Sequence, residues 1–168
     1  MWRLVVIPVA VFGVLVACGG DDQAEPIDAP PLVADARAAV AAVEDERGAG
    51  QDYFEVTATD RLTNVFVAID AATAAVPYVY REGTLEPPAP TLSGASGATF
   101  TADALDVDDD RVLAQIDDEL PGAIVDAFSV EGGPGGTARY VATVRSEEGG
   151  TLDVVVAGTG EILSVDPL

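Results

Sequence analysis

The chain contains no histidine and no lysine, and its 168 residues include a single cysteine. Without histidine or lysine, no Ser–His–Asp or Cys–His arrangement and no Schiff base can be built, and the usual His/Cys zinc ligand sets are missing. Any catalyst here would work with carboxylates, tyrosines and hydroxyls. Positive charge is equally scarce. Eight arginines face 29 acidic residues, for a net charge of −21. With no basic patch to displace counterions from phosphates, nucleic acid is not expected as a partner, and docking on an anionic membrane through the protein surface is disfavoured. A lone cysteine closes no internal disulfide, and with no neighbouring base it has no reason to be activated. The lack of lysine beside abundant Ala, Gly, Asp and Val fits the codon bias of a high-GC bacterium; a halophile's acidic surface is the other reading.

What is present begins at the N-terminus. Trp2 and Arg3 form a short positive region, followed by 14 uncharged apolar residues from Leu4 to Ala17. A spanning helix needs about 20 such residues. This run is shorter, is interrupted by Pro8 and Gly13, and is followed by Gly-Gly-Asp-Asp rather than basic residues, as in a cleavable export signal. Leu15, Val16, Ala17 and Cys18 resemble the lipobox of bacterial lipoproteins. The resemblance implies that the Cys18 thiol receives a diacylglycerol and that cleavage follows Ala17, leaving acylated Cys18 as the first residue. Stable anchoring takes more than one acyl chain, which this modification supplies. The competing reading is an ordinary signal peptide with a stray cysteine. Loss of Arg3 with the signal brings the mature chain to −22.

The remainder divides by composition. Residues 18–31 are acidic and proline-rich and read as a flexible tether. Residues 32–85 carry an alanine-rich helix from about Leu32 to Arg47, with Val33, Ala36, Val40 and Val43 apolar and Gly48 as its stop. Three β-rich stretches follow, "DYFEVTATD", "TNVFVAID" and "TAAVPYVYREG". Pro77 places the third at a sheet edge or a bulge. Residues 86–98 are a Pro/Gly/Ser-rich linker. Residues 99–168 repeat the order: a helix with stripe Val112, Leu113, Ile116 and Leu120, then strands separated by glycine turns. "FVAI" from Phe66 sets against "YVAT" from Tyr140, and "EDERG" from Glu44 against "DDELPG" from Asp117, as in a duplication.

The second unit resembles the small PepSY-type domain, through Leu120-Pro121-Gly122, then Tyr140-Val141-Ala142, then the Thr159–Asp166 stretch "TGEILSVD". The resemblance implies an α+β fold of two helix-plus-antiparallel-sheet units, used for binding in secreted or envelope proteins; some members inhibit or chaperone a peptidase, and no peptidase domain is attached here.

Four groups of residues invite a chemical reading. Asp106, Asp108, Asp110 and Asp117 have partial calcium-loop spacing, but Arg111 stands where that loop needs glycine and the closing glutamate is missing. An acidic helix start explains them better. Neighbouring acids such as Asp117-Asp118-Glu119 read as a solvated helix face. "EGGPGGTAR", Glu131–Arg139, lacks the residues of a phosphate loop and reads as a hairpin, as does the turn Gly158–Glu161. Tyr78 and Tyr80, with Phe54 and Phe66, form an aromatic cluster. The tyrosines are a candidate partner-binding edge for strand addition, set against cover for a half-buried sheet.

The expectation is a lipoprotein held at the extracytoplasmic face of the cell membrane, with no enzyme activity, metal or cofactor, that binds or regulates an unknown envelope protein. A carrier for a small hydrophobic ligand, held between sheet and helices, is the alternative.

Overall fold

A computed structural model describes residues 33–146 and 149–168. Leu15, Val16, Ala17, Cys18 and the tether lie outside the described residues. Alanine, which loses no side-chain entropy in a helix, dominates α1 (Val33–Arg47). Its Ala36, Ala39, Val40 and Val43 recur on one face and are buried. The Gly48 N–H closes the helix on the Glu44 carbonyl at 2.8 Å. In α2 (Asp109–Glu119), Val112 and Ile116 are buried, with Leu113 and Leu120 half-buried beside them.

Strands β1 (Asp52–Thr59), β2 (Thr63–Ile69) and β3 (Ala74–Arg81) form an antiparallel meander after α1. Two short strands, β4 (Thr84–Leu85) and β5 (Leu92–Ser93), pair with the far side of β3, and β6 (Phe100–Thr101) returns to β1. After α2 comes a second meander: β7 (Ile124–Gly132), β8 (Ala138–Arg145), β9 (Thr151–Val156) and β10 (Ile162–Pro167). β7 pairs antiparallel with β1, so the two expected units merge into one sheet, ordered β10-β9-β8-β7-β1-β2-β3-β4. From either end, the order runs from a last strand to a first strand, and the two first strands meet in the middle. The class is α+β.

Both helices contribute to one core on a single face of the sheet. Val56, Val65, Val67, Phe128, Val130, Ala142, Val144 and Val154 are sealed against Val43 and Val112. Each fully buried valine is worth about 1.5–3 kcal/mol relative to exposure. The inward residues follow the period of two along the strands, with interruptions at bulges in β1, β7 and β10. Tyr53 and Val56 both face inward although three residues apart, and a bulge between Tyr53 and Glu55 absorbs the extra residue, Phe54. The third residue of β7, Asp126, is the extra residue of a matching bulge between Val125 and Ala127.

The segment after β4 is not a free spacer. It runs back along the outer side of β3: Glu86, Ala89 and Gly94 donate to the carbonyls of Val79, Pro77 and Thr73 at 2.8, 2.9 and 3.0 Å. Since the Pro77 carbonyl points outward, so does its ring nitrogen, and the proline costs the β2–β3 ladder no bond. At the far end of this segment a side chain on Gly132 would collide with the Ala98 carbonyl, at 2.1 Å from an added Cβ.

One sequence match is corrected. "FVAI" and "YVAT" set Phe66 against Tyr140, but Tyr140 is in the core, 6% exposed, whereas Phe66 lies on the opposite face of the sheet. The strand pairings instead make Val65, opposite Val56, the counterpart of Ala142, opposite Phe128. The unequal β1–β2 and β7–β8 loops, which sequence matching slid past, account for the slip.

Candidate functional site

The four aromatic residues singled out in the sequence divide between the two faces. Tyr78 is 2% exposed beneath α1, where its hydroxyl accepts from Arg47 Nη1 at 3.2 Å and donates to Glu46 Oε1 at 3.4 Å. Tyr80 is half-buried against the same core. The outer backbone of β3 is already taken by β4, β5 and the segment between them. Tyr78 and Tyr80 therefore do not form an exposed edge for strand addition; the returning chain occupies that edge, and the tyrosines face the helix side.

Phe54 and Phe66 emerge on the other face, which no helix covers among the described residues. The β1 bulge is the local cause: it sets Phe54 and Glu55 together opposite Phe66. With Ala75, Leu92 and the 93–96 loop they line a groove of about 370 Å³. Leu92 is 50% exposed at its rim.

Across the middle of the sheet this apolar patch gives way to polar side chains. Thr57 and Ser129 are opposed on β1 and β7, with hydroxyl oxygens 2.9 Å apart, and Thr57 also donates to Glu55. Farther out, Arg139 Nη1 meets Glu131 Oε2 at 2.7 Å. Arg145 grips both oxygens of Asp126 at 2.7 and 3.0 Å, and this guanidinium holds the Asp126 carboxyl below the usual carboxylate range. Thr143 Oγ1 donates to Asp153 Oδ1 at 2.9 Å. One half of the open face is thus an apolar groove, and the other a network of ion pairs and hydroxyls.

The other candidates are structural. Asp108 caps α2, its Oδ1 accepting from the Arg111 N–H at 3.2 Å. An open groove of about 800 Å³ surrounds this helix start and includes Asp106, Asp108 and Asp110. Two of its groups hold the α2 lead-in, Arg37 donating to the Val107 carbonyl (2.8 Å) and the Asp108 N–H to the Gly158 carbonyl (3.0 Å), and beside it Tyr140 donates to the Ala104 carbonyl (2.7 Å). Asp117 and Asp118 lie exposed on α2. No cluster of three or more acidic, histidine or cysteine residues suited to a metal occurs among the described residues. Glu131–Arg139 is the end of the β7–β8 hairpin, its outer residues paired and Gly133–Thr137 forming the loop, and Gly158–Gly160 turns β9 into β10. Between helices and sheet, where a carried ligand would sit, the described residues form the packed core, and a groove of about 570 Å³ opens between α2 and β10, lined by Arg111, Gln115, Glu119 and Leu120 on one side and Ile162 and Val165 on the other.

Sequence reasoning passed over Glu55, Thr57, Ser129 and Leu92. A signal for the first was available: in "DYFEVTAT" the two bulky apolar residues Tyr53 and Val56 stand three apart, which a regular strand cannot bury on one face.

No family model matches the chain, and no curated protein matches it in sequence. Among solved structures, the crystal structure at 1.85 Å of a protein from Clostridium difficile 630 described as a candidate lipoprotein (CD1622) is similar in fold, with a TM-score of 0.58 and 13% identity. The match covers 85% of this chain and 98% of that one. Among the described residues no helix is long and apolar enough to cross a membrane.

Proposed function

We propose that this protein is a non-catalytic lipoprotein, anchored through Cys18 to the extracytoplasmic face of the cell membrane, that binds another envelope protein through the open face of its sheet. The observation that carries this reading is the asymmetry of that face. An apolar groove adjoining hydrogen-bonding and ion-paired side chains has the make-up of a protein interface, with apolar anchor sites beside a polar surround. On the helix side the core is packed and the groove between α2 and β10 is lined mostly by polar residues, which favours a binding surface over a carried hydrophobic ligand. The anchor rests on the lipobox resemblance, and the fold likeness to a candidate lipoprotein is in keeping with it. We also take the two halves to be copies of one PepSY-like unit. The meeting of their first strands, each with a bulge at its third residue, supports that origin.

The test is site-specific photocross-linking in the native host. A photoreactive residue at Asn64, on the open face, should capture one reproducible envelope protein, and the same group at Asp118 on the solvent side of α2 should not. Equal capture from both positions, or none from Asn64, would overturn the proposal.

A further inference from the structure

We propose that the Phe54–Phe66 groove receives a cationic side chain, arginine or lysine, presented by the protein partner; this rests on the reading of the open face as a protein-binding surface. Charge is the first argument. Asp126 and Glu131 on this face each meet an arginine at 2.7 Å, and Asp153 is held by Thr143. Glu55, lining the groove, makes no ion pair among the described residues and takes only the Thr57 hydroxyl bond. A half-buried carboxylate beside apolar side chains keeps its full attraction for a cation, because less water screens it.

The second argument is the company Glu55 keeps. The bulge sets it beside Phe54 and opposite Phe66, with Leu92 at the rim. Aromatic rings attract ammonium and guanidinium groups, and the alkyl stems of lysine and arginine cover apolar surface while the charge reaches a carboxylate. An uncharged apolar side chain would fill the groove but leave Glu55 desolvated and uncompensated. The chain's charge of −21 adds long-range attraction for a basic partner.

Fluorine NMR of the full-length lipidated protein in detergent micelles, labelled with p-fluorophenylalanine, tests this. The probes are acetyl-Gly-Arg-Gly-amide, its lysine counterpart and the neutral citrulline isostere. Signals of Phe54 and Phe66 should shift saturably with the arginine and lysine peptides, while core Phe100 and Phe128 stay in place and report an intact fold. A charge-assisted contact predicts about tenfold weaker binding of the citrulline peptide, and a similar loss for the arginine peptide with Glu55→Gln. Asp118→Asn should leave the affinity unchanged. Equal affinity for citrulline, indifference to Glu55→Gln, or no shift at all would overturn the proposal. Should cross-linking from Asn64 capture a partner while the cationic peptides fail, the binding surface stands and its cationic specificity falls. Failure of both experiments removes both.

Discussion

The hydroxyl oxygens of Thr57 and Ser129 lie 2.9 Å apart on β1 and β7, the pair of strands that joins the two halves of the sheet. Each is the sixth residue of its strand, so the same position in each half meets its counterpart. Thr57→Val removes the shared hydroxyl and leaves both Ser129 and Glu55 without it. The expected loss is about 0.5–1.5 kcal/mol in urea denaturation, with Thr57→Ser restoring most of it. In a double-mutant cycle with Ser129→Ala, a coupling indistinguishable from zero would show that the contact contributes nothing.

Cys18→Ser should abolish labelling by radioactive fatty acid and leave the precursor uncleaved. A serine variant processed and retained at the membrane like the parent chain would rule out lipidation at this position.

Gly158→Ala should destabilise. An added Cβ would stand 2.1 Å from the Asp106 carbonyl oxygen, in the segment that leads into α2. The chain must shift to relieve that clash, at a cost of about 1–3 kcal/mol. The readout is the thermal midpoint, and an unchanged midpoint would mean that the α2 lead-in is held more loosely than the contact implies.

The Asp126–Arg145 pair should contribute to acid sensitivity. Arg145 lowers the carboxyl's pKa in the folded protein, so as pH falls the unfolded chain takes up this proton first. The stabilisation is therefore present above the ordinary carboxylate range, near 3.8, and is lost as pH falls through that value toward the lower folded one. Asp126→Asn should lower the denaturation midpoint at about pH 7 and converge with the parent at about pH 2. The difference should be small and should shrink with added salt, because the Arg145 and Asp126 side chains are 54% and 39% exposed.

Tyr53 carries a buried hydroxyl with no hydrogen-bond partner among the described residues. Tyr53→Phe should therefore be neutral or stabilising by up to about 1 kcal/mol. Burial, reinforced by Glu44 and opposed by Arg47, raises the phenol's pKa, so the parent should lose stability as pH rises above about 10, where the unfolded chain ionises first. The phenylalanine variant should lose less over that range, as denaturation midpoints against pH would show.

The helices and most strands were legible because one residue pattern dominates each. The alanine run of α1 stops at a glycine, and Val65 and Val67 alternate cleanly with their neighbours. What escaped depended on register or on contacts distant in sequence. Tyr78 and Tyr80 do share a face, as their spacing requires, but which face was decided by α1 packing over β3 and by Arg47 reaching the Tyr78 hydroxyl. The proline-rich stretch from Pro87 reads locally as a spacer, and only its return to Pro77 and Thr73 makes it part of the sheet. The groove exists because one extra residue in β1 turns Phe54 outward, an effect that average composition and propensity do not register.

The two borders of the sheet differ in a way that limits self-association. Beyond β3 the outermost backbone contains Pro87, Pro88 and Pro90, none of which has an N–H to offer, while β10 at the opposite border is paired on one side only among the described residues. A fibre grown by adding strands needs an acceptor border at each end of every subunit. Among the described residues the proline-bearing border offers fewer donors to an added strand than β10 does, so strand addition at β10 is favoured over growth from both borders.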